Sequence, residues 1–189
     1  MSLLPIYTYG TSVLRKKAKP VHNLTDELIT LVRDMFETMH HASGIGLAAN
    51  QVGKLQRIIV VDISEMEGYE NEQPMVVINP QIISKEGDCD YEEGCLSIPN
   101  LRAKIYRAEK IKVKFLNTNL EETTIEADGL KARVLLHEID HLNGVLFIEH
   151  LSKEEYKNIL PQLREIEHGN VSADYEIVTS ANKKKKKSK

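Results

Sequence analysis

The sequence predicts an α+β fold in which antiparallel strands pack around a central helix, with an additional C-terminal helix. Three observations lead there. Apolar residues at helical spacing mark two well-separated helices, the candidate strands cluster between them, and no internal repeat divides the chain. At 189 residues the chain fits one domain with a sizeable core.

Taken in order, residues 3–20 show no period, and Pro5, Gly10 and Pro20 punctuate an irregular segment. Thr25 then reads as a helix N-cap with Asp26 and Glu27 in the first turn. Leu28, Leu31, Val32, Met35, Phe36 and Met39 follow at helical spacing, and the helix should stop near 42–44. Segments 57–63 (RIIVVDI) and 75–79 (MVVIN) read as buried strands. Between them, 64–73 carries four glutamates and no basic residue, as a solvated loop would. Further strands are expected at 81–84, 110–116 and 123–127. Asp128-Gly129 precedes the second helix, which runs to about Asn143 and closes at Gly144. Ser152 is placed to cap a third helix from 153 to about 167, which Pro161 should kink or interrupt. Residues 169–189 are expected to form a polar, lysine-rich, disordered tail.

Composition narrows the function classes. Apolar residues make up 41% and charged residues 28%, as in soluble globular proteins. No stretch approaches the roughly 18 apolar residues of a membrane span, and the first ten residues lack the pattern of a secretory signal. Cytoplasmic residence follows as the expectation, with no membrane association and no specific DNA binding. The two cysteines, Cys89 and Cys95, are too close for a strongly stabilising disulfide, so a functional thiol is the better reading of at least one. Six lysines crowd into the last seven residues; setting them aside from the formal net charge of −3 leaves −9 on the rest.

The strongest chemical signal is His137-Glu138-Ile139-Asp140-His141. Residues four apart share one helix face, so both imidazoles can reach one metal ion, making this the central, metal-binding helix. Glu138 is rotated from that face yet close enough to exchange a proton with a water on the ion. A catalytic ion of this type takes three protein ligands. Two candidates for the third stand open: Glu165 downstream, and Cys95 in Glu93-Gly94-Cys95-Leu96-Ser97. Cys89 has no adjacent glycine and reads as a small buried residue. The loop Gly44-Ile-Gly-Leu-Ala-Ala-Asn-Gln51 is built from small residues that let backbone approach a substrate, and Gln51 offers a neutral amide donor suited to an oxyanion. It lacks the lysine and hydroxyl residue of a phosphate loop.

GIGLAANQ, EGCLS and HEIDH, in this order and at these separations, resemble the three motifs of the peptide deformylases, over the chain from its N-terminal segment to about Leu151. The resemblance implies one catalytic domain spanning 1–168. It also implies removal of the formyl group from the N-terminal formylmethionine of newly made proteins, with release of formate. It implies Cys95, His137 and His141 as ligands of one divalent metal, typically Fe(II), with Zn, Ni or Co able to replace it. Glu138 would be the general acid/base, and Gln51 with the Leu96 N–H would hold the oxyanion. Ile45 and Gly46 would line the peptide cleft, Tyr91, Leu130, Arg133 and Val134 would surround the methionine side chain, and Arg102 would touch the substrate backbone. Glu93 is counted with the substrate-binding residues; like Ser97 it would also orient Cys95 and its loop.

The chain departs from the family pattern at Leu136, where the family commonly has glutamine. Arg133 is polar for a methionine pocket, and the expectation is that its stem lines the pocket while its guanidinium reaches solvent. Formylmethionyl nascent peptides are the implied partners. The lysine tail and the C-terminal helix suggest contact with the ribosome, through counterion release from RNA. Two rival readings remain: an HExxH zinc peptidase using Glu165 as third ligand, and a ribosome-associated module whose metal is structural.

Overall fold

The computed structural model describes residues 2–181. Its centre is a five-stranded sheet in the order β2 (Gly46–Ala48), β3 (Ile58–Val61), β4 (Met75–Glu86), β7 (Lys110–Leu116) and β8 (Glu122–Asp128). Every neighbouring pair in it is antiparallel. A hairpin of β5 (Cys89–Cys95) and β6 (Ile98–Arg107) stands apart, and β1 (Ile6–Tyr7) pairs in parallel with β9 (Ile177–Val178).

Helices cover both faces of the sheet. In β3 all four residues are buried, which is why 58–61 reads as an unbroken apolar run instead of an alternating one. Ile58 and Val60 pack with Leu28, Leu31, Met35 and Met39 of α1 (Asp26–His41). Ile59 and Val61 pack on the opposite face with Leu135, Ile139 and Leu142 of α2 (Gly129–Leu142). Each such side chain removed from water contributes about 1.5–3 kcal/mol. Thr25 caps α1 as expected, its hydroxyl accepting from the Leu28 N–H at 3.2 Å.

Eleven of the fourteen residues of α2 are buried, so this helix runs through the core. It opens at Gly129 (φ 51°), and its first free N–H groups are not met by the Asp128 side chain. Instead the Leu130 N–H donates to the Tyr69 hydroxyl at 2.9 Å, and Lys131 pairs with Glu72 at 2.6 Å. The acidic segment 64–73, expected to be only a solvated loop, therefore holds the start of α2.

Four other expectations need correction. The strands expected at 75–79 and 81–84 are one strand, β4, carried past Pro80 by a register shift between Ile78 and Gln81 with Asn79 at φ 53°. The β5–β6 hairpin was not foreseen, because β5 (CDYEEGC) is mostly polar and exposed and gives its partner β6 no apolar strand to pair with in the pattern. Pro161 does not interrupt α3 (Lys153–His168). The exposed proline sits opposite the buried Leu163 and Ile166, and Ser152 and Glu155 close both arms of a capping box at 3.2 and 2.9 Å. Finally, the segment from 169 is structured as far as 181: Gly169 (φ 82°) ends α3 and the chain returns to pair Ile177–Val178 with β1. The lysine tail lies outside the described residues.

Candidate metal centre

Two elements bring the metal-binding candidates together. His137 and His141, one turn apart on α2, place their Nε2 atoms 3.2 Å from each other. Cys95 ends β5, and its Sγ lies 3.1 Å from His141 Nε2. The donor atoms of these three residues all fall within 4.8 Å of one another, the one such group among the described residues. A tetrahedral ion with metal–nitrogen bonds of about 2.0–2.1 Å and a metal–sulfur bond of about 2.3 Å would set nitrogens about 3.3 Å apart, and nitrogen and sulfur about 3.6 Å apart. The donor set therefore fits one ion with little adjustment. Glu165 is exposed on α3 and accepts from Asn170 at 3.0 Å, so it is not the third ligand.

The orientation of His137 is fixed from behind. Its Nδ1–H donates to Glu93 Oε2 at 2.9 Å, which leaves Nε2 facing the other donors. Glu93 also accepts from Arg107 Nε at 2.7 Å, Arg107 Nη2 at 3.1 Å and Arg133 Nη1 at 3.0 Å. Burial alone would raise its carboxyl, but the bonds from His137 and Arg107 hold it down at about 2. Glu93 borders the groove, but both its oxygens are engaged by protein groups; it is a brace for His137, where the sequence reading counted it with the substrate contacts. Arg107 further binds Asp140, which also meets His150 at 2.7 Å. Neither Arg107 nor His150 was foreseen, since nothing local in the sequence marks them.

Arg133 also differs from expectation. It is 4% exposed, and its guanidinium stays inside, donating to the Ile105 carbonyl at 2.9 Å and to the Cys89 carbonyl at 2.9 Å. The Cys89 thiol lies 3.2 Å away and the Tyr91 ring centroid 5.8 Å away. The guanidinium turns inward because the hairpin carbonyls and Glu93 offer it more partners than the surface does. Leu136 is buried in the core beside α2's other apolar residues and adds no polar group to the centre.

The small-residue loop becomes β2 and a short 3-10 turn, 49–52, lying against α2. A Cβ on Gly46 would come within 2.7 Å of Val134 Cγ1 and 2.8 Å of Glu138 Oε1, so only glycine permits this approach. Gln51 Oε1 accepts from the Ala48 N–H at 2.7 Å, which aims Nε2 at Ser97 Oγ (3.3 Å) and Cys95 Sγ (3.7 Å). Asn50 Nδ2 donates to the His141 carbonyl, tying the loop to the end of the ligand helix. Burial pushes the Glu138 carboxyl up to about 7, with His137 opposing the shift, and its Oε2 is buried without a hydrogen-bond partner.

These groups open onto a groove of about 850 Å³. Ile45, Gly46, Tyr91, Arg102, Leu130, Arg133 and Val134 all border it, as do Gln51, Leu96 and Glu138. The sequence reading missed Met66 and the stretch from Ser172 to Tyr175, which also border it.

Comparison with known proteins decides the family. A polypeptide deformylase family model matches residues 3–157. The chain belongs to the peptide deformylase family. It is 46% identical over 175 residues to a peptide deformylase of Chlorobium luteolum, covering 93% of this chain and 92% of that one. A crystal structure of a peptide deformylase from Legionella pneumophila superposes with TM-score 0.81 at 38% identity, covering 89% of this chain and 98% of that one. A Met-Ala-Ser-bound peptide deformylase from Acinetobacter baumannii gives TM-score 0.75 at 36% identity, with 79% and 99% coverage. This deformylase chain is thus a metal-dependent amide hydrolase that removes the formyl group from N-terminal formylmethionine and releases formate. Among the described residues no helix is long and apolar enough to cross a membrane.

Proposed function

We propose the following division of labour for deformylation. Cys95, His137 and His141 hold one divalent ion, Fe(II) in the native protein, a donor set of thiolate and imidazoles that Zn also accepts. When bound, the ion supplies Lewis acidity and lowers the pKa of water toward neutrality. Glu138 takes the proton of the attacking water on its free Oε2 and returns it to the departing amine nitrogen. The formyl oxygen, as it gains charge, accepts from the Leu96 N–H and from Gln51 Nε2, the latter preorganised by the contacts described above.

The substrate's methionine side chain rests among Ile45, Leu130, Val134 and Tyr91, with the stem of Arg133 as the floor. Gly46 leaves room for the peptide backbone, and Arg102, exposed at the rim near Glu92 (4.0 Å), meets the backbone beyond the methionine. The Met-Ala-Ser bound to the Acinetobacter relative is the product expected of this reaction.

The observation that carries this reading is the convergence of Cys95, His137 and His141 beside a buried, unpartnered carboxylate oxygen. Formate release from a formyl-Met peptide, assayed anaerobically with Fe(II) or Ni(II), tests it, with Cys95→Ser expected to lose both metal and activity. Absence of formate release from the loaded wild type would overturn it. The cytoplasm is the proposed setting, where nascent chains are made. The lysine tail adds ribosome affinity through RNA phosphates. Co-sedimentation of the whole chain should exceed that of a chain ending at Asn182 and fall with salt; equal, salt-insensitive binding would refute the tail's role.

A further inference from the structure

Beyond α3 the chain turns back and runs as a strap, 170–178, along the rim of the groove. It lies outside the residues that the deformylase family model matches, 3–157. Three attachments fix its course. Asn100 Nδ2 donates to the Ser172 carbonyl at 3.2 Å, the Tyr175 hydroxyl donates to the Leu96 carbonyl at 2.9 Å, and Ile177–Val178 pairs with β1. The Tyr175 ring packs on the same core that holds α1.

The Leu96 contact has a specific place. Leu96 and Ser97 form the two-residue turn between β5 and β6, directly after the ligand Cys95. Three separate elements grip this turn. Tyr175 holds the Leu96 carbonyl, the Tyr9 N–H donates to the Ser97 carbonyl at 2.8 Å, and Gln51 holds the Ser97 hydroxyl at 3.3 Å. The Leu96 carbonyl lies in the peptide plane shared with Ser97, and only the φ and ψ of Leu96 separate that plane from the one carrying the Leu96 N–H, which the pairing of Cys95 with Ile98 anchors from the other side. Donors aimed at developing charge lose their effect when misplaced by fractions of an ångström.

We propose that Tyr175 is a positioning residue for deformylation: the C-terminal strap clamps the Leu96 carbonyl so that the Leu96 N–H points at the formyl oxygen. The proposal rests on the oxyanion role given to Leu96 above.

Tyr175→Phe removes the hydroxyl and keeps the ring that packs on the core. Assayed on a formyl-Met-Ala-Ser substrate, this variant should lower kcat about five- to tenfold and leave KM within twofold. Binding of the Met-Ala-Ser product, which lacks the formyl carbonyl, should also stay within twofold, as should metal content. Asn100→Gly, allowed by the φ of 62° at that position, frees the other anchor and should shift kcat the same way by a smaller factor. Unchanged kcat in Tyr175→Phe, or equal losses in kcat and in product binding, would overturn the proposal. A wild type that binds metal but releases no formate would instead overturn the functional reading on which it rests.

Discussion

Glu93 accepts the Nδ1 proton of His137 at 2.9 Å while two buried arginines, Arg107 and Arg133, hold its other lone pairs. The carboxylate is thus both the orienting partner of a metal ligand and the counter-charge of two guanidinium groups. Glu93→Gln would leave those cations undercompensated in the core. The expected cost is about 3–5 kcal/mol of stability, read by denaturant unfolding. Metal affinity should fall about 10- to 100-fold in a chelator competition. Unchanged affinity would mean that His137 is oriented without Glu93.

Gly46→Ala places a methyl 2.7 Å from Val134 and 2.8 Å from Glu138 Oε1. Overpacking of this kind costs about 1–3 kcal/mol. Because the clash falls on Glu138, the proposed acid/base, and not on a ligand, kcat/KM should drop at least tenfold while metal content stays near wild type. A loss of metal in parallel with activity would show that the loop supports the ligands instead.

Arg133→Lys keeps the charge and removes the fork that reaches Glu93, Ile105 and Cys89 together. The hairpin carbonyls lose their donor, at about 1–3 kcal/mol. Since Tyr91 and the β5 edge of the groove lean on this contact, KM for formyl-Met peptides should rise severalfold with metal content retained through Arg107. A normal KM would remove Arg133 from any account of methionine selectivity.

Tyr69→Phe tests whether the acidic segment has a structural task. It deletes the acceptor for the Leu130 N–H at the start of α2. The expected loss is about 1 kcal/mol, or a Tm lower by about 2–4 °C for a chain of this size. No change in Tm would return the segment to the status of a solvated tip.

The parts of the centre legible in the sequence are those whose geometry is local. His137 and His141 are read from helical spacing, Gly46 from a run of small residues, and the helix-capping Thr25 from the residues that follow it. Cys95 needed the deformylase resemblance to prevail over Glu165, because nothing within β5 says which strand end will meet α2. The surroundings of Arg133 and Glu93 were hidden for the same reason. Their partners, Ile105, Cys89 and Arg107, lie on the β5–β6 hairpin, whose mostly polar β5 hid it from a hydrophobic pattern. Pro161 misled because packing of Leu163 and Ile166 and a complete N-terminal cap outweigh its missing N–H. The strap escaped notice because a two-residue parallel pairing across some 170 positions leaves no periodic trace.

Helix α2 is enclosed on nearly every side, and two of the three ligands, with Glu138, are part of it. Backbone amides in such a segment exchange with solvent only when the whole domain opens. Deuterium uptake along α2 should therefore be the slowest in the chain and should follow global unfolding. The way out for an ion is then the groove, past Cys95, and not a local opening of α2. Metal can therefore leave and return while the two histidines and Glu138 keep their places on α2.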